Sequence, residues 1–123
     1  MNIIIKLIRY PQRLLIKLRF INKTNLKDRF SIIHRSNYWD NPETVSGPGS
    51  TLKNTVNLRK ELNKIIKKYK IKSIFDAPCG DCNWIKGIIR NSSIKYIGAD
   101  IVDEIIKKNQ VKFNYKNTFF YKK

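Results

Sequence analysis

The segment Asp76-Ala77-Pro78-Cys79-Gly80-Asp81, together with Asp100, holds the residues whose types and spacing could do chemistry. Gly80 lets a backbone approach a ligand with no Cβ in the way, and Pro78 fixes φ and stiffens the turn while removing one donor. Asp100 follows Gly80 by 20 residues, about the interval at which an acidic side chain takes both ribose hydroxyls of a bound adenosine. Asp76 stands where a cationic group could be received, directly or through water. Together these residues read as a site for an adenosine-containing cofactor.

Positioning them takes a strand, a tight turn, a helix and a second strand. Ile71 to Phe75 is a short apolar run, broken by Lys72 and Ser73, that feeds the Asp76–Gly80 turn. Asn83 to Arg90 can hold about two helical turns, and a second apolar run, Ile94 to Ala99, closes on Asp100. In an open parallel sheet, ligands sit outside the carboxyl ends of the strands, where both aspartates would fall. Before the first strand, Leu52 to Tyr69 reads as a helix with Leu58, Leu62, Ile65, Ile66 and Tyr69 on one face. Lys64, Lys67, Lys68 and Lys70 crowd its end, where cations suit the dipole. Val102 to Asn109 predicts another helix, with Asp103 and Glu104 in its first turn, and Thr118 to Tyr121 a third strand.

At these residues the chain resembles the class I S-adenosylmethionine-dependent methyltransferases, and within them a bacterial group with the motif Asp-x-Pro-Cys-Gly-Asp-aromatic-x-Trp. Here the motif stands as Asp76, Ala77, Pro78, Cys79, Gly80, Asp81, Cys82, Asn83 and Trp84. Trp39 and the segment Ser46-Gly47-Pro48-Gly49-Ser50 are similar to two upstream features of the same group, and Tyr96 to Ile101 to its second strand. The resemblance spans roughly Asn37 to Gln110. Cys82 departs from it, standing where the group has an aromatic and the wider class a glycine. The resemblance implies a Rossmann-like α/β fold with N-terminal helices, S-adenosylmethionine as cofactor, and methyl transfer as the reaction. It implies that Asp76 to Asp81, Asn83 and Trp84 line the cofactor with Ser46, Gly47, Gly49 and Ser50, while Asp100 holds ribose and Ile101 faces adenine. It points to a small-molecule or glycan methyl acceptor. It also implies more strands than the three legible here. Residues 51–123 are then expected to be the N-terminal half of the cofactor-binding domain, and residues 1–50 a basic helical and loop segment before it. The chain would be a gene fragment, a half completed by a complementary chain, or a protein whose N-terminal segment covers the edge of the first strand. No catalytic residue is legible.

Across 123 residues there are 26 Lys and Arg against 9 Asp and Glu, a formal charge of +17. Such a balance points to nucleic acid or an anionic surface. The excess is mostly Lys, spread along the chain with abundant Ile and Asn, so it reads as composition background and argues against nucleic acid. Met1 to Asn22 is basic and amphipathic. Ile3, Ile4, Ile5, Leu7 and Ile8 surround Lys6, Pro11 is expected to interrupt, and Leu14, Leu15, Leu18 and Ile21 follow at helical spacing. The run is too short and too basic to span a bilayer or to be a signal peptide. It reads first as a helix capping the domain with its apolar face inward, and second as a peripheral contact with an anionic membrane. The expected location is the cytoplasm, with peripheral attachment at the inner membrane face under the second reading.

Lys23 to Ser50 reads as loop-rich, with Asn-Pro at Asn41 and Gly-Pro-Gly at Gly47 to Gly49. Its Phe30, Ile32, Ile33, Tyr38 and Trp39 are expected to pack on the sheet or roof the cofactor. Ser50 or Thr51 would cap the next helix, whose N-terminus also suits an anion. His34, the single histidine, reads as a surface or structural residue. Cys79 and Cys82 admit a rival reading as a thioredoxin-like Cys-x-x-Cys at a helix start. That reading leaves Asp100 unexplained and allows too short a helix before Ile94. A structural zinc would need about four ligands, which the pair and His34 do not supply. A noncatalytic basic module binding membrane or nucleic acid is the third reading.

Overall fold

Three short runs of β-branched and aromatic residues pair side by side in the computed structural model, which describes residues 3–91 and 93–122. Strands β1 (Ser73–Asp76), β2 (Lys95–Asp100) and β3 (Thr118–Lys122) form an open parallel sheet in chain order. The protein is therefore mixed α/β with a three-stranded parallel sheet. The register sets Ile74 beside Tyr96, and Asp76, Gly98 and Phe120 in one row. That face carries the core: Tyr96 and Phe120 pack with Ile85, Ile88, Ile89, Ile106 and Phe113. Gly98 is dictated by this packing, since a Cβ there would lie 2.7 Å from the Phe120 ring. On the other face, the register aligns Phe75, Ile97 and Phe119. Phe75 is 67% exposed, although parallel sheets ordinarily carry helices on both faces.

The helices differ from the sequence expectation in instructive places. α1 (Ile3–Ile21) runs through Pro11 without a break. Of the apolar residues expected to cap the domain, Leu14, Leu15, Leu18 and Ile21 are exposed and do not, whereas Ile16 and Phe20 are half-buried; the side chains of Ile3, Ile4, Ile5, Leu7 and Ile8 lie outside the described residues. α2 (Leu26–Arg35) lies in the stretch read as loop. The Asn25 side chain accepts from the Lys27 amide and caps it, with Asp28 in the first turn. α3 (Val56–Lys68) begins after a series of turns, and of its expected apolar face only Leu62 and Ile66 pack on the core, whereas Leu58, Ile65 and Tyr69 are exposed. Thr51 accepts from the Asn54 amide and so caps the turn before α3, not α3 itself. α4 (Lys86–Ile89) is a single turn where two were expected. α5 (Asp103–Lys112) starts on the two acidic residues predicted for its first turn.

Those acids have a second task. Lys27 Nζ lies 2.9 Å from Asp103, and Arg35 pairs with Glu104, so two of the three Lys and Arg side chains of α2 meet the start of α5. Their hydrogen bonds hold the Asp103 and Glu104 carboxyls below the usual carboxylate range. Exposed pairs of this kind contribute little stability each, but they fix where α2 lies over the sheet end. Among the described residues no helix is long and apolar enough to cross a membrane.

Candidate functional site

The turn after β1 is bound to the end of β2 by main-chain chemistry. The Cys79 amide donates to the Ala99 carbonyl at 2.9 Å, and the Gly80 amide to Asp100 Oδ2 at 3.0 Å. Asp100 Oδ1 accepts from the Val102 amide at 3.0 Å, so one buried carboxylate ties the first turn to the start of α5. Gly80 has φ +54°, in the left-handed region that favours glycine, and a Cβ there would stand 2.4 Å from Ser46 Oγ. Cys82, with φ +56°, also adopts the left-handed conformation, so the position that departs from the glycine pattern keeps a glycine-like backbone.

Around this junction opens a cavity of about 470 Å³. Of the residues read in the sequence as cofactor-binding, Pro78, Cys79, Gly80, Trp84, Asp100, Ile101, Ser46 and Ser50 line it. Asp76, Ala77, Asp81, Asn83, Gly47 and Gly49 do not. Asp76 instead accepts from the Tyr96 hydroxyl at 2.6 Å, and burial raises its carboxyl above the ordinary range. Burial likewise pushes the Tyr96 phenol up.

Asp81 is a strut beneath the wall. Its carboxylate accepts from Thr44 Oγ1, the Val45 amide and Ser46 Oγ, at 2.8 to 3.0 Å, while its own amide donates to Ser46 Oγ. Asn83 donates to Glu43 Oε1 and to the Ser50 carbonyl, which pins the far end of the same segment. Glu43 also accepts from the Leu52 amide, and these bonds lower its carboxyl. Gly47, at φ +94°, lies under the Trp39 indole. Asp81, Asn83, Glu43 and Gly47 thus shape the wall without entering the cavity.

The roof is α2. Leu26, Phe30, Ile33 and His34 fall at i, i+4, i+7 and i+8 and line the cavity opposite Gly80 and Asp100, with Trp39 beside them. Of the other expected aromatics, Tyr38 is engaged elsewhere, meeting Phe20 of α1 edge-on at 5.2 Å. His34 is not a surface residue: it is 7% exposed, and its Nδ1 is buried without a partner. Burial lowers its pKa below 6.5, Lys108 lowers it further, and Glu104, Asp81 and Asp100 oppose. The unfolded chain then takes up this proton at higher pH than the folded one. The stabilisation is complete above pH 6.5 and is lost as the pH falls through the folded value. A pH series of denaturant midpoints should therefore climb towards pH 6.5 more steeply for the wild type than for His34→Gln, and equal slopes would refute the assignment.

Asn109 was not foreseen. At 2% exposure on α5, its Nδ2 donates to the Gly80 carbonyl at 2.7 Å and lies 3.5 Å from Cys82 Sγ. Asn109→Ala removes the amide donor of that part-buried carbonyl, leaving only the Cys82 thiol at 3.9 Å, and is expected to cost about 1 kcal/mol, read as a lower denaturant midpoint. The two thiols are free and buried. Hydrogen bonding to Cys82 and then burial push the Cys79 thiol up, opposite to the depressed, accessible thiol that disulfide exchange requires. Among the described residues no group of three or more His, Cys, Asp or Glu is placed to hold a metal ion.

Fold and site together define an α/β protein with an apolar cavity at the carboxyl end of a parallel sheet, closed over by a helix that precedes the sheet in the chain. Comparison of the chain with protein-family models, with characterised proteins and with solved structures finds no match.

Proposed function

We propose that this chain is the cofactor-binding part of an S-adenosylmethionine-dependent methyltransferase with a Rossmann-like arrangement. The observation that carries the reading is the junction of the Gly80 backbone with the Asp100 carboxylate in the cavity at the sheet's carboxyl end. Its volume of about 470 Å³ falls within the usual range for small-molecule sites. The two backbone amides occupy two of the roughly four acceptor positions of the Asp100 carboxylate, leaving the others for ribose hydroxyls. Ile101 would lie against the adenine, Trp39 and Trp84 would enclose the ligand, and Gly80 with Ser46 and Ser50 would follow its methionine end.

When bound, the cofactor supplies an electrophilic sulfonium methyl. The chain's own residues contribute binding, orientation and exclusion of water. His34 adds the one imidazole of the chain to the cavity wall, held towards its neutral form and able to hydrogen-bond a methyl acceptor. A small-molecule or glycan acceptor rests on the resemblance alone. The free thiols suit a reducing compartment.

Titration calorimetry with S-adenosylhomocysteine tests the reading. One saturable site is expected, with adenosine competing more weakly. A folded, monodisperse chain that gives no binding heat would remove the proposal.

A further inference from the structure

A second surface of the molecule lies apart from the cavity. α1 packs on the protein through Arg13 and Phe20: the Arg13 guanidinium donates to the Tyr38 carbonyl at 2.9 and 3.2 Å, and Phe20 meets the Tyr38 ring. At about 100° per residue, Leu14, Leu18 and Ile21 share a different arc, with Leu15 beside it. They are 54%, 49%, 48% and 61% exposed. The apolar stripe of this amphipathic helix thus faces outward, although such a stripe ordinarily faces a core.

The charges around it select what covers it. Lys17 and Arg19 border the stripe on its two sides, Lys6, Arg9, Arg13 and Lys23 lie on the same segment, and no acidic residue occurs before Asp28. A second copy of the helix would satisfy the leucines but bring two uncompensated cationic segments together. A nucleic acid would satisfy the cations and leave the leucines in water. An anionic bilayer surface satisfies both, with leucines in the acyl boundary and cations at the phosphates. We propose that α1 docks the protein on an anionic lipid surface through Leu14, Leu15, Leu18 and Ile21, with Lys17 and Arg19 as flanking anchors. The proposal is independent of what the cavity binds.

Flotation of the full chain with vesicles is the test, comparing phosphatidylcholine alone with phosphatidylcholine mixed with phosphatidylserine. The wild type is expected to float with the mixed vesicles only, and less in high salt. The double variant Leu14→Glu, Leu18→Glu should stay at the bottom of the gradient with an unchanged circular dichroism spectrum. Lys17→Gln with Arg19→Gln should weaken binding roughly 25-fold, about fivefold per cation. If the leucine variant loses its helical signal, the cation variant decides by itself. The proposal fails if neither variant changes flotation, if binding to duplex DNA exceeds binding to the mixed vesicles, or if the chain is a dimer that the leucine variant dissociates.

Discussion

Asp100→Ala is expected to abolish detectable binding of S-adenosylhomocysteine. Two ribose hydroxyls donating to one carboxylate contribute about 1.5–3 kcal/mol each, so their loss weakens binding roughly 10²- to 10⁴-fold. The same substitution leaves the Gly80 and Val102 amides without their acceptor, and each buried orphan costs about 1–3 kcal/mol. A lower midpoint of unfolding should accompany the lost affinity. Ile101→Arg separates the two effects, since Ile101 lines the cavity and its replacement would block the side proposed for adenine while sparing the turn. Loss of binding by both variants, with only Asp100→Ala destabilised, is the expected pattern. Unchanged affinity in Asp100→Ala would remove the ribose role and leave Asp100 as a structural clasp.

Gly80→Ala should be strongly destabilising. An L-residue in the left-handed region costs about 1–2 kcal/mol, and the new Cβ would sit 2.4 Å from Ser46 Oγ and 3.1 Å from Ser46 Cβ. Ser46 must then move, giving up its hydrogen bonds with the Asp81 carboxylate and amide. Those bonds to a charged group contribute about 1.5–3 kcal/mol, so a fall in Tm of roughly 10–15 °C is expected. Adding Ser46→Gly removes both clashing atoms and should restore part of the Tm by relieving the contact. It should not restore all of it, because the backbone cost and the missing Asp81 partner remain. A double variant no more stable than Gly80→Ala would show that the clash is not the source of the loss.

Much of the sheet was legible because its signals are local. The apolar runs ending at Asp76 and Asp100 and the turn residues between them fix strand, bend and strand without reference to distant contacts, and the acidic start of α5 follows from the helix dipole. Boundaries shifted where propensity and packing compete. α3 begins late because Thr51 and Thr55 engage the turn before it: the Thr55 hydroxyl donates to the Thr51 carbonyl. α2 lies in a stretch that Gly, Pro and Asn further along mark as loop, although Asn25, Asp28 and the spacing of Leu26, Phe30 and Ile33 carry a helical signature. Pro11 does not end α1 despite the usual cost of an interior proline.

The division of the site follows the same physics. The sequence by itself determined that a glycine turn and an aspartate would stand together at the carboxyl end of a parallel pair, since strand direction and chain length leave them nowhere else to go. Only the tertiary structure decided that Asp81 would brace Thr44 and Ser46 instead of entering the cavity, that Asp76 would be taken by Tyr96, and that His34 would be buried in a roof. The same holds for the leucines of α1, which remain in water. Each of these depends on which face of one element meets which face of another, and residues 20 to 37 positions apart acquire a partner only when the elements carrying them pack.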